Sequence, residues 1–197
     1  MYRKNRKKEF YTERARQEGY PARSVYKLKE INEKYRIIKK GDRVLDLGCS
    51  PGSWLLYISK IIGANGMVLG LDEEDIKIKN AANILFVKKN AMEAEACDLK
   101  RVAEYQAVVS DLAPKTTGIK EVDEALSLQL AERALEIAKS VLATGGNFVC
   151  KIFEGGGVDD FFKKVAAIFK TAKRLRPKAV PQGSKEFYII GIGFKGI

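Results

Sequence analysis

The sequence predicts an α/β fold, a mostly parallel sheet with helices on both faces, and three observations carry that prediction. Short apolar runs alternate with helical patterns along most of the chain, the order that βαβ crossovers produce. The first apolar run leads into a glycine-containing turn and a helix start, Gly48-Cys49-Ser50-Pro51-Gly52-Ser53-Trp54. The chain has 197 residues, 46% of them hydrophobic, enough for one domain with a substantial core and too few for two ordinary ones.

Residues 1–22 are polar and basic, without sustained apolar periodicity, and read as a partly flexible docking segment ahead of a domain over residues 23–197. Val25, Leu28, Ile31 and Tyr35 then recur at helical spacing, with Ser24 as the expected cap and Lys39-Lys40-Gly41-Asp42 as the turn that ends the helix. Arg43–Leu47 is the first strand, followed by a helix over about Ser53–Ile62 and by strands at Gly66–Leu71, Ile84–Lys88 and Ala107–Ser110. A long helix is expected over about Val122–Leu142, with Val122, Leu126, Leu130, Ile137 and Val141 on one apolar face. After Gly145-Gly146 come a strand at Asn147–Phe153, a helix over about Val158–Phe169, and strands near Lys173–Arg176 and Phe187–Phe194.

The chain contains no histidine, which excludes Ser-His-Asp and Cys-His machinery, His-ligated zinc or haem, and an imidazole proton shuttle. Acid–base work falls to Lys, carboxylates, Tyr or Cys. The net charge is +11, and it is unevenly placed: residues 1–40 hold 14 Lys and Arg against 5 Asp and Glu, while residues 41–197 hold 22 against 20. Such asymmetry fits a polyanionic partner whose neutralised phosphates release counterions; a solvated surface is the plainer reading of the same charge. Cys49, Cys97 and Cys150 form no Cys-x-x-Cys pair, so neither a disulfide scaffold nor a zinc site is expected. No apolar run approaches the roughly 20 residues that cross a bilayer, and the basic N-terminus lacks the apolar stretch of a secretion signal. A cytoplasmic protein with no membrane partner is the expectation.

The glycine turn reads G-x-x-x-G-x-W, not the G-x-G-x-x-G of dinucleotide binders, so a pyrophosphate cradle fits poorly. Gly48 and Gly52 allow close approach of backbone to a ligand, and the helix start offers free N–H groups. Asp46 lies in the first strand, and Asp72 ends the second, where a carboxylate can accept both hydroxyls of a ribose. Together these suit an adenosine ligand without phosphates, such as S-adenosylmethionine; an ordinary tight βα turn is the alternative.

The fourth strand ends Ser110-Asp111-Leu112-Ala113-Pro114, which puts a carboxylate at the sheet edge where open α/β folds bind ligands. The aromatic that methyltransferases of exocyclic base amines carry in this segment is missing, which implies a different nucleophile. Lys151 sits among apolar neighbours in Val149-Cys150-Lys151-Ile152-Phe153, a strand expected to be central. Burial disfavours its cation and moves it toward use as a base, while a snorkelling or structural ion-paired lysine remains the alternative. Glu186 opens the last strand and poses the same question.

Five segments in this order resemble the FtsJ/RrmJ (RlmE-type) family of ribosomal RNA ribose 2′-O-methyltransferases: Arg23-Ser24-Val25-Tyr26-Lys27-Leu28, Asp46 to Trp54, Ser110 to Pro114, Lys151-Ile152-Phe153 and Glu186-Phe187-Tyr188. The resemblance implies a single-domain Rossmann-like S-adenosylmethionine-dependent methyltransferase fold, with a seven-stranded sheet whose last strand is antiparallel. It also implies a Lys-Asp-Lys-Glu tetrad at Lys27, Asp111, Lys151 and Glu186, with Lys151 the principal catalytic residue. Gly48, Gly52, Trp54, Asp72, Asn90 and Asp111 would then hold the donor, with no metal required. Asn90 departs from the acidic residue that the family usually places near the adenine, and its amide can serve as donor or acceptor. The implied partner is ribosomal RNA or the large ribosomal subunit, met by a monomer. Transfer RNA is the within-class alternative, and a non-catalytic assembly factor the alternative from another class.

Overall fold

A computed structural model describes residues 2–79, 81–95, 98–99 and 102–196. Its seven strands are β1 (Arg43–Leu47), β2 (Met67–Asp72), β3 (Ile84–Lys88), β4 (Tyr105–Ser110), β5 (Leu142–Phe153), β6 (Phe169–Leu175) and β7 (Glu186–Phe194). They form one sheet in the order β3-β2-β1-β4-β5-β7-β6, parallel from β3 through β5, with β7 antiparallel to both β5 and β6. The helices are α1 (Tyr2–Gln17), α2 (Val25–Tyr35), α3 (Ser53–Ile62), α4 (Lys120–Val141) and α5 (Val158–Ile168). The fold is Rossmann-like, as the sequence predicts.

The central strands β1, β2 and β4 are covered on both faces, and their buried residues accordingly follow one another without alternation, Asp46 and Ser110 being the polar side chains among them. On one face, Leu28 and Ile31 of α2 and Trp54, Leu55, Ile58 and Ile62 of α3 pack on Val44, Val68, Val109, Val149 and Tyr188. On the other, Ala131, Ala134 and Ala138 of α4 and Phe161 and Val165 of α5 cover Leu45, Leu69, Val108, Phe148 and Ile189. The register aligns Leu47 with Leu71 and Ser110, Ser110 with Cys150, and Phe153 with Glu186. Asp72, Asp111, Lys151 and Glu186 therefore emerge along one edge of the sheet. No helix among the described residues is long and apolar enough to cross a membrane.

Several sequence expectations need correcting. Helix α1 occupies a stretch whose pattern supports no element; its C-terminal half is held by burial of Ala15, by Tyr11 against Tyr26 (5.3 Å between centroids) and by the Arg14 guanidinium 4.9 Å from the Tyr26 ring centre. Ser24 makes no capping hydrogen bond with its side chain, because its backbone is already in the helical region. Helix α2 stops at Arg36, which adopts a left-handed conformation, ahead of the Lys39–Asp42 turn. In α4 the core-facing residues are Ser127, Ala131, Ala134, Leu135, Ile137, Ala138 and Val141, so Ile137 and Val141 are placed as expected. Val122 is exposed, and Leu126 and Leu130 turn toward a cleft. Small residues let this helix lie close to the sheet, a face that hydrophobicity alone does not pick out. Gly145-Gly146 is an irregularity inside β5, where pairing shifts between Tyr105/Leu142 and Ala107/Asn147, and not a break before it. Strand β6 begins at Phe169, four residues before its expected start, because an edge strand exposing Lys170, Lys173 and Arg174 carries little apolar signal.

Candidate active site

The loop between β1 and α3 is shaped by its glycines. Gly48 has φ 77°, and a Cβ there would lie 2.9 Å from the backbone nitrogen of Leu112, so only glycine lets this turn meet the segment after β4. Gly52 has φ 107° and starts α3, with Ile78 packed where its side chain would be. The backbone N–H of Ser50 donates to Asp72 Oδ2 (2.8 Å) and that of Glu74 to Oδ1 (2.8 Å), which fixes the Asp72 carboxylate at the end of β2. Each oxygen keeps a further lone pair for a hydroxyl donor.

Four segments bring the predicted tetrad together. Lys27 of α2 pairs with Glu186 Oε1 at 2.5 Å and stands 3.8 Å from Asp111 Oδ1. Lys151 of β5 donates to the backbone carbonyl of Asp111 at 2.6 Å and lies 3.2 Å from its Oδ1. Both lysines are buried, at 9% and 7% exposure, and the nitrogen of each lies against a carboxylate instead of bulk water. Burial pushes the Asp111 carboxyl upward, but Lys151, Lys27 and the Tyr188 hydroxyl outweigh it and hold the group below the usual carboxylate range.

Tyr188 is a member of this cluster that residue-by-residue reading of the sequence missed. Its ring is fully buried, and its hydroxyl lies 2.7 Å from Asp111 Oδ1 and 3.1 Å from Glu186 Oε1. Burial, and then the two neighbouring carboxylates, raise the phenol far above its ordinary range, so it remains a donor. The signal was present: Tyr188 is two residues from Glu186 on β7, hence on the same face.

A cavity of about 640 Å³ opens beside the tetrad, within the range of small-molecule sites. Gly48, Asp72, Asn90 and Asp111 line it, with Glu73, Met92, Leu126, Gln129 and Leu130 among the residues that complete its wall. Asp111 is the tetrad member that reaches it. Gly52 and Trp54 are not among the residues described as lining it. The Trp54 indole N–H donates to the Ser24 carbonyl (2.9 Å), and its ring lies 6.1 Å from that of Tyr188, so the side chain braces the start of α2 and the back of the cluster. Asp46 lies beneath the glycine loop, completely buried, and neither of its carboxyl oxygens has a hydrogen-bond partner among the described residues. Burial first, then the charges of Asp111 and Asp72, push it well above the usual range. Cys49 and Cys150 are free, buried thiols raised chiefly by burial; Cys97 lies outside the described residues.

A Rossmann-like sheet with an adenosine-sized cleft beside a lysine–carboxylate cluster defines the molecule as an α/β methyltransferase. The chain belongs to the FtsJ-like methyltransferase family, whose sequence profile matches residues 20–194. It is 45% identical over 193 residues to ribosomal RNA large subunit methyltransferase E of Desulforapulum autotrophicum, covering 98% of this chain and 95% of that relative. The protein of the same name from Desulfatibacillum aliphaticivorans is 43% identical over 194 residues, covering 98% and 94%. Among solved structures, a Plasmodium falciparum protein described as a ribosomal RNA methyltransferase matches with a TM-score of 0.76 at 23% identity, over 90% of this chain and 100% of that one. Aeropyrum pernix fibrillarin, solved with natively bound S-adenosylmethionine, matches with a TM-score of 0.55 at 16% identity, over 79% and 68%. These two structural likenesses bear on the fold alone.

Proposed function

We propose that this methyltransferase moves a methyl group from S-adenosylmethionine to a ribose 2′-hydroxyl of large-subunit ribosomal RNA, on a uridine. The observation that carries the reading is the meeting of Lys27, Asp111, Lys151 and Glu186 in one ion-paired cluster whose Asp111 also faces the adenosine-sized cavity. The cavity's own chemistry fits the donor. Asp72 presents spare lone pairs for two ribose hydroxyls, and the Gly48 turn brings backbone, not side chain, to the ligand. Relatives named as ribosomal RNA large subunit methyltransferases support the substrate class.

When bound, the donor supplies an already electrophilic methyl group, so the protein has to align an in-line attack and manage one proton. Asp111 fixes the Lys151 amine through two contacts, which leaves one further direction on the nitrogen for the ribose oxygen. As a neutral amine, Lys151 takes the hydroxyl proton; as an ammonium, it stabilises the developing alkoxide. The pH–rate profile separates the two, since only the first makes the rate rise with lysine deprotonation. Lys27, held by Glu186, approaches the same Asp111 oxygen that Lys151 meets. The basic residues 1–22, ahead of a domain over 23–197, dock the RNA in the cytoplasm.

The test is methyl transfer from labelled donor to large subunits, to their RNA and to transfer RNA, with the modified nucleotide mapped by mass spectrometry. The wild-type protein labels a ribose 2′-oxygen of large-subunit RNA, and Lys151→Ala binds donor normally while losing about 10²–10⁴-fold in turnover. Replacing Arg3, Lys4, Arg6, Lys7 and Lys8 with glutamine flattens the salt dependence of RNA binding without changing donor affinity. RNA binding with no labelling of any substrate would replace the enzyme by the assembly factor, and labelling confined to transfer RNA would change the substrate.

A further inference from the structure

At the end of the cleft farthest from Lys151, an exposed network fixes the orientation of one amide. The sheet order β3-β2-β1-β4 sets the sequence of groups along the cleft. A ligand with its reacting end at Asp111 after β4 and its ribose at Asp72 after β2 lays its base against the segment after β3, where Asn90 and Met92 line the wall. That segment is firmly held. The Lys89 N–H donates to the Asp72 carbonyl (2.9 Å), the Glu93 N–H to the Asn90 carbonyl (3.0 Å), and the Arg133 guanidinium of α4 to the carbonyls of Ala91 (3.2 Å) and Ala94 (2.6 Å).

The Asn90 side chain is oriented within this frame by two contacts that agree. Its Oδ1 accepts the Met92 N–H at 2.9 Å, and its Nδ2 donates to Glu73 Oε2 at 3.3 Å. The other Glu73 oxygen, Oε1, lies 3.3 Å from Lys115 Nζ on the segment after β4, so the carboxylate is steadied from across the cleft. A flipped amide would set two donors against each other at Met92 and two acceptors against each other at Glu73. In the observed orientation Oδ1 keeps one lone pair and Nδ2 one proton. A side-by-side acceptor and donor of this kind complements adenine, whose edge offers an amino N–H beside a ring nitrogen acceptor, and mismatches a base bearing a carbonyl and a protonated ring nitrogen. An aspartate at position 90 would instead face Glu73 as a like charge.

We propose that Glu73 is a specificity-determining positioning residue: by locking the Asn90 amide, it makes the pocket select adenine over its deaminated counterpart in the donor. This rests on the methyl-donor reading given above. Glu73 directly follows the strand that ends at Asp72, and its carboxylate reaches the amide at position 90.

The test measures, by calorimetry on the full-length protein, the affinities of S-adenosylhomocysteine and S-inosylhomocysteine for four proteins: wild type, Glu73→Ala, Asn90→Ala and the double variant. Wild type prefers the adenosyl compound by about 5- to 150-fold, the range of one bidentate pair. Glu73→Ala lowers this ratio several-fold, chiefly by weakening the adenosyl compound, and Asn90→Ala lowers it further. The double variant matches Asn90→Ala, because Glu73 acts through Asn90. An unchanged ratio in Glu73→Ala, or additive losses in the double variant, overturns the proposal. A wild-type protein that binds neither compound overturns the donor reading itself. Glu73 is exposed and Asn90 half-buried at the cleft rim, outside the core, so the variants fold, and Lys115→Ala, which removes only the outer brace, shifts the ratio less than Glu73→Ala.

Discussion

The two ends of the sheet edge that carries Asp72 and Asp111 hold their charges in opposite ways. Around Asp111, the lysines and carboxylates are buried and locked by contacts from four separate segments, with Tyr188 filling the gap between two anions. At the Glu73–Lys115–Asn90 rim the same kinds of group are exposed, and the Lys115 side chain is 89% accessible. Ion pairs of the second kind contribute roughly 0–1 kcal/mol and are screened by salt. Pairs of the first kind are costly to break, because removing one partner strands the other without water. The buried end therefore holds a fixed geometry, and the rim suits the selective role proposed for Glu73 and Asn90.

Asp111→Asn tests that contrast with the largest expected effect. It leaves Lys151 without its anionic partner and Lys27 with Glu186 alone, and the expected loss of stability is about 3–5 kcal/mol, read from urea midpoints at constant m. The folded Asp111 carboxyl lies below its unfolded value, so the stability it provides is complete at neutral pH and disappears as the pH falls through the unfolded and then the folded value. In Asp111→Asn the stability lost by the protein on acidification should shrink accordingly. A variant as stable as wild type at pH 7 would place these ions in effective contact with water.

Tyr188→Phe is the smaller perturbation of the same cluster. The ring stays and a hydrogen bond to charged groups goes, a loss of about 1.5–3 kcal/mol. The Asp111 carboxyl also loses one of the contacts that depress it, so the acid limb of the stability curve moves to higher pH. A shift of the limb to lower pH would show that the hydroxyl instead opposes ionisation of Asp111.

What could be read in advance divides along similar lines. Lys151, Asp111 and Glu186 stood out because each sits at or near a strand end whose apolar pattern announces the sheet edge, whereas Lys27 came from the family resemblance alone, since the periodicity of its helix marks Val25, Leu28, Ile31 and Tyr35 and not the lysine between them. Helix α1 was not, since its anchors are a small residue, a cation over a ring and two tyrosines, none of which makes an apolar stripe. Leu126 and Leu130 misled because a cleft of this size takes apolar wall as much as the core does, while the alanines of α4 do the packing. Asn90 was visible as a departure from the family pattern. The Glu73 contact beside it joins residues 17 apart in sequence, and no periodicity encodes a pairing between the ends of two parallel strands.

Asp46 is the buried group that breaks the rule followed by its neighbours, and near pH 4 it gives the smallest predicted effect. With no partner for either oxygen and with Asp111 and Asp72 nearby, its carboxyl is raised well above the usual range, so the folded state holds a proton that the unfolded chain releases. Stability conferred by such a group is fully present below the unfolded value, near 4, and falls as the pH rises toward the folded value. Asparagine is close to isosteric with the neutral acid and carries no proton to lose. Asp46→Asn should therefore leave stability near pH 4 within about 0.5 kcal/mol of wild type and make the protein more stable at pH 7 to 8, where wild type carries the cost of the retained proton. Parallel urea titrations at the two pH values decide it. A variant less stable at pH 8 than at pH 4 relative to wild type would mean that Asp46 is ionised in the fold and has a cationic partner beneath the glycine loop.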